Sequence, residues 1–164
     1  MRPRAEKPGK GQESVWDYPR PAICEPTSRS LEIRFADAIV ARTQRAFRVL
    51  ETSHPPTYYL PPEDIAEGVL VPARGTSVCE WKGVARYFDV VVGERSAKRA
   101  AWGYDRPTPS FAPMAGYVSF YAHLMDACFV DDEQVQAQEG DFYGGWITSH
   151  VVGPFKGAPG TWGW

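Results

Sequence analysis

Apolar and polar residues alternate strictly over 31–35, where Leu31, Ile33 and Phe35 are separated by Glu32 and Arg34. Successive side chains of a strand point to opposite sides, so this pattern predicts a strand with one buried face. No stretch in the middle of the chain sustains the helical period, and the chain is therefore expected to be mainly β. Asp37 marks a short turn into Ile39-Val40-Ala41, which makes a hairpin, and residues 46–51 predict a third strand. Pro55 and Pro56 break the ladder before Tyr58-Tyr59-Leu60 resumes an extended path. Residues 61–65 suit a short helical turn, because proline is tolerated at a helix start and acids favour its N-terminal end. Further strands are predicted over 68–72, 84–92, 97–104, 116–123 and 125–130, with a turn at Gly93-Glu94 and a proline-rich loop over 105–115. The expected fold is two antiparallel sheets with one or two short helical turns.

The chain has 164 residues, 43% of them hydrophobic, which suffices for one domain with a sizeable core. Residues 1–12 hold few apolar side chains and are expected to form a disordered leader. Residues 13–28 contain prolines that forbid a helix interior, but also Trp16 and Tyr18, and predict an extended arm. The β-domain is placed at 29–140. A tail over 141–164, rich in glycine and tryptophan, is expected to lie on the domain or on a partner.

A net charge of −2 provides no basic field for nucleic acid. Three cysteines without a Cys-x-x-Cys pair argue against a disulfide framework and against a cysteine-based zinc site, and fit a cytoplasmic setting. No apolar run is long enough for a membrane span or a signal peptide, so a soluble protein without a membrane partner is expected. His123 and His150 stand in unrelated surroundings, and no metal or cofactor is expected. Six acids and no Lys or Arg lie between Asp126 and Asp141, which reads as a solvated face.

The chemistry concentrates in the run 76–83, Thr-Ser-Val-Cys-Glu-Trp-Lys-Gly, where a thiol, a large aromatic and an amine occupy four positions. An ammonium or imidazolium beside a thiol favours the reactive thiolate, which makes Cys79 a candidate nucleophile with Lys82 or His54 as its neighbour. A buried structural thiol is the competing reading. Glu51 and His54 follow a strand, where loops commonly place functional groups, and Cys79, His54 and Glu51 contain the residue types of a hydrolytic or transferase triad.

The blocks Pro55-Pro-Thr-Tyr-Tyr-Leu-Pro-Pro-Glu-Asp64 and Cys79-Glu-Trp-Lys-Gly-Val-Ala-Arg-Tyr87 resemble the bacterial domain-of-unknown-function 427 family, as do Ala101-Trp-Gly-Tyr104 and Met114–Tyr121. The resemblance spans roughly residues 13–133 and leaves the tail aside. It implies a small β-tent-like fold, two sheets meeting along one side and open at the other, and it implies no activity. Some β-tent relatives hold zinc with four cysteines, which this chain lacks, so metal binding does not transfer. The family has carried a nucleotidyltransferase-like label. This chain has no Gly-Ser followed by an Asp-x-Asp pair to hold magnesium, and Asp131-Asp132-Glu133 reads as a turn.

Two classes of function fit these residues. In the first, Glu51, His54, Tyr58, Cys79, Trp81, Lys82, Tyr87 and Trp102 line a cleft that binds a small anionic or aromatic ligand, with Lys82 as charge partner. In the second, Cys79 with His54 performs thiol transfer or hydrolysis. A third class, a structural protein that forms a homodimer through the arm or the tail, stays open.

Overall fold

The structure, a computed structural model, describes residues 2–79 and 81–164; Met1 of the expected leader and Glu80 of the run 76–83 lie outside the described residues. The alternating residues 31–35 form β3 (Leu31–Phe35), which pairs with β4 (Ala38–Thr43) through a two-residue turn. Ala36 and Asp37 both take positive φ there, 53° and 62°, the conformation that matches the twist of paired strands. Leu31, Ile33 and Phe35 are buried. Glu32 faces outward and accepts from Arg34 and Arg42.

β11 (Ala127–Val130) and β12 (Glu133–Gln134) complete this sheet in the order β12-β11-β3-β4. They are joined by Asp131-Asp132, again at positive φ. The Asp131 carboxylate accepts from the Ser30 amide and from Arg29, so this acid braces a turn. β2 (Ile23–Thr27), β5 (Ala46–Leu50) and β6 (Thr57–Tyr59) form a second sheet. A third has the order β10-β9-β8-β7, built from β7 (Leu70–Cys79), β8 (Gly83–Val92), β9 (Arg95–Gly103) and β10 (Val118–Phe120).

The sequence predicts two sheets, whereas the described residues form these three and two smaller pairs. One is antiparallel, β13 (Gln136–Ala137) with β14 (Trp146–Ile147). The other is parallel, β1 (Glu13–Ser14) with β15 (Val151–Val152). None closes into a barrel. Among the described residues four 3-10 turns occur, over Val15–Asp17, Pro62–Asp64, Pro109–Met114 and Ala122–Leu124, against the one or two expected. No helix among the described residues is long and apolar enough to cross a membrane.

The largest departure from expectation is β7. The sequence predicts a strand ending at Pro72, but β7 continues to Cys79 across a register shift between Pro72 and Thr76. β7 is the sheet's outer strand, where a proline's missing N–H costs no ladder bond, and Gly75 at φ 87° supplies the irregular turn of chain. Residues 116–123 are correspondingly shorter as a strand than expected: β10 gives way to a 3-10 turn after Tyr121.

Alternation along the strands builds two of the three apolar bodies among the described residues. Tyr58, Ala101, Phe120 and Trp146 belong to one, together with the inner faces of β3 and β4. Tyr59, Trp102, Tyr104, Phe111 and Met114 belong to the other, and Cys79, Tyr87 and Tyr121 pack against it. Residues 2–12, expected from their composition to be disordered, run mostly exposed and hydrogen-bond twice to Gly153 through Glu6. In the arm, Val15, Trp16 and Tyr18 are buried, and the Trp16 indole donates to the Pro154 carbonyl.

In the tail, Trp146 is fully buried and its indole donates to the Phe120 carbonyl at 3.1 Å. Trp146→Ala removes a large buried side chain and leaves that carbonyl unpaired, so it is expected to cost about 3–5 kcal/mol. Urea denaturation of the two proteins measures the loss; a cost near zero would mean that the tail packs loosely.

Candidate functional site

The β7–β8 hairpin delivers Cys79, Trp81 and Lys82 to one rim of a cleft. Cys79 pairs with Gly83 across the hairpin. The tip is held down by Thr108, whose amide donates to the Lys82 carbonyl at 3.0 Å and whose hydroxyl donates to the Trp81 carbonyl. Gly83 has φ 110°, a left-handed conformation that side-chain-bearing residues rarely adopt, so the position after Lys82 favours glycine.

Glu51 and His54 occupy the tight turn between β5 and β6, in which the His54 amide donates to the Glu51 carbonyl. This turn is clamped from both ends of the chain. The Thr52 amide donates to Pro19 and the Ser53 amide to Val15, while the Ser53 carbonyl accepts from the Lys156 amide. Ser53 sits at φ 74°, a conformation that costs a non-glycine residue free energy and that these bonds hold in place.

The cleft encloses about 490 Å³, inside the usual range for small-molecule sites. Glu51, His54, Cys79, Trp81, Lys82, Tyr87 and Trp102 all line it. Tyr58 does not: it is buried in the other apolar body against Trp146, with ring centroids 5.3 Å apart. The strand turns its neighbour Tyr59 to the cleft instead. Trp102 is floor rather than a free face, being 7% exposed, covered by Tyr121 at 4.4 Å and donating to the Tyr59 hydroxyl. Trp81 is the more open indole, at 37%.

The cleft also contains residues that the sequence does not single out: Gln138, Phe142, Tyr143 and Lys156. Gln138 is 3% exposed although it lies in the acidic stretch. A polar residue beside Gly140, Gly144 and Gly145 is the only trace of it in the sequence. Gly144 lets the backbone sit on Trp102, since a Cβ would collide with that ring.

Burial holds His54 well below the ordinary histidine range, at about 4, and the charges of Lys156 and Lys82 add to this. The imidazole is therefore uncharged at neutral pH. Two ammoniums, Lys82 and Lys156, then face one carboxylate, Glu51, among the described lining residues, so the described lining carries a net positive charge. Lys82 Nζ lies 5.9 Å from the Tyr104 ring centre and Lys156 Nζ 5.8 Å from that of Tyr143. Burial raises the Tyr59 and Tyr104 phenols far above their usual range and Tyr121 to about 12, so all three stay neutral.

A second hollow of about 570 Å³ lies beyond β2 and contains Arg29, Arg48 and His150. Its charges are already satisfied: Arg48 by Glu13 and Glu25, Arg29 by Asp131 and by His150 Nε2. No group of three or more His, Cys, Asp or Glu among the described residues has the arrangement of a metal site.

The family model described as Domain of unknown function (DUF427) matches residues 23–131. The chain belongs to this family. No curated protein matches it. The DUF427 match contains Glu51, His54, Cys79, Lys82 and Trp102 but not Gln138, Tyr143 or Lys156, so the DUF427 part of the chain builds one wall of the cleft and the tail builds the other.

The unfolded chain takes up a proton on His54 near pH 6.5 while the folded one resists it, so stability is expected to fall as pH drops from about 6.5 through about 4, by on the order of 3 kcal/mol. An NMR titration should place the His54 midpoint near 4, and His54→Gln should flatten the stability profile; a midpoint at the ordinary value would show an open, wet imidazole.

Thiol labelling tests access. Cys128 is buried and pushed up to about 12, and Cys24 is raised by burial and donates to the Ser110 carbonyl. Iodoacetamide is expected to modify Cys79 first and Cys128 last at neutral pH. Mass spectrometry reads the order, and a Cys79 slower than Cys24 would mean that the cleft is closed.

Proposed function

We propose that the protein binds a small anionic ligand with a planar aromatic ring in the cleft between the β7–β8 hairpin and the tail. The observation that carries this reading is the convergence of eight aromatic residues, two lysines and the Glu51-His54 turn on one hollow. Lys82 supplies the charge partner from the hairpin tip, and Trp81, the most accessible indole there, supplies a stacking face. Lys156 adds to the positive field from the opposite wall. In the same reading the cleft is the open side of a β-tent-like arrangement, and a cytoplasmic setting keeps the three free thiols reduced.

Catalysis by Cys79 with His54 is the weaker reading. Gln138 Nε2 lies 3.1 Å from His54 Nδ1, and with the amide oriented by Gly145 and Lys156 its N–H points at that nitrogen, an arrangement that leaves the ring proton on Nε2 and no lone pair there to take one from the thiol.

Lys82 is on the rim and contributes little to the core, so Lys82→Ala is expected to melt like the wild type in buffer. Saturation of the wild type with an aromatic carboxylate such as benzoate at 100 times its Kd should add about 2.7 kcal/mol, and the variant should lose most of that. Equal stabilisation of both proteins by every aromatic acid tried would overturn the proposal.

A further inference from the structure

The hydrogen bonds of Gln138 determine the state of His54. Its Oε1 accepts from the Gly145 amide at 3.1 Å, and its Nε2 donates to the Lys156 carbonyl at 2.7 Å. A backbone amide can only donate and a backbone carbonyl can only accept, so the side-chain amide has one workable orientation. Its second N–H points to His54 Nδ1 at 3.1 Å, which must therefore be the unprotonated nitrogen. The proton of the neutral ring sits on Nε2. That nitrogen is 3.6 Å from Glu51 Oε2, too far for a good hydrogen bond, and the described residues make no hydrogen bond to the Glu51 carboxylate. Both groups are only partly exposed, 15% for His54 and 25% for Glu51, and both line the cleft. An N–H and a carboxylate side by side, neither satisfied by the other, form a small recognition edge.

We propose that Gln138 is a positioning residue that locks His54 as the Nε2–H tautomer, and that His54 and Glu51 together read a ligand edge bearing a carbonyl beside an N–H. His54 donates to the carbonyl and Glu51 accepts from the N–H. The ligand class is a planar, anionic ring with a lactam or imide edge, which narrows the reading of the cleft given above and rests on it. A partly buried site built to pair such an edge discriminates strongly against a ring that lacks it, because its own polar groups are then left unpaired.

Two measurements test this. Long-range ¹H–¹⁵N spectra of the full chain at neutral pH should show His54 as the Nε2–H form. In Gln138→Glu a carboxylate, which only accepts, should switch it to Nδ1–H, a spectroscopic change that loss of packing alone does not produce. Finding Nδ1–H in the wild type overturns the proposal whether or not the variant folds. The second measurement compares orotate, which has a carboxylate, a planar ring and the carbonyl/N–H edge, with benzoate, which has only the first two. Orotate should bind at least about tenfold more tightly, and Glu51→Ala should bring the ratio close to one. Orotate binding no tighter than benzoate, or not binding at all, overturns the proposal. Benzoate binding that depends on Lys82 would in that case leave the broader ligand-binding reading standing.

Discussion

Because a strand sends neighbouring side chains to opposite faces, three adjacent pairs decide where the interior of this protein ends and its cleft begins: Tyr58/Tyr59, Ala101/Trp102 and Phe120/Tyr121. The first member of each pair closes the core under β3 and β4. The second faces the aromatic body beneath the cleft. A shift of one residue in β6, β9 or β10 would exchange the two sets, burying two tyrosines and a tryptophan where Tyr58, Ala101 and Phe120 now pack. The cross-strand pairing of Ser119 with Trp102 and of Phe120 with Ala101 keeps that register.

On this frame the cleft is assembled from parts that are distant in the chain. The hairpin tip brings Lys82 and Trp81, the β5–β6 turn brings Glu51 and His54, and the tail brings Gln138, Tyr143 and Lys156. Gln138 joins the last two parts, since a single side-chain amide contacts Gly145, Lys156 and His54. The hollow near Arg48 is a useful contrast. It is similar in size and more highly charged, yet Arg29 and Arg48 are held by the chain's own acids, so it has little left for a ligand.

Much of the strand pattern was legible in the sequence because it rests on local rules. The alternation at Leu31–Phe35, the turn at Asp37 and the 3-10 turn after Pro61 each follow from residues close together. The length of β7 was not, because Pro72 is compatible with a strand only at a sheet edge, and edge position is a property of the whole sheet. The site divides in the same way. Cys79, Lys82, Glu51 and His54 stood out by chemical type. Tyr58 was misplaced because composition cannot tell which of two consecutive tyrosines faces which side. Gln138 was hidden because its neighbours are acids and glycines, and its role comes from partners up to 84 positions away.

The turn that bears His54 is fastened on one side by the segment from Val15 to Pro19 and on the other by Lys156. The two extremities of the chain thus meet behind the imidazole, like hands gripping one handle. Cutting the polypeptide beside either grip would loosen it and register in the hollow.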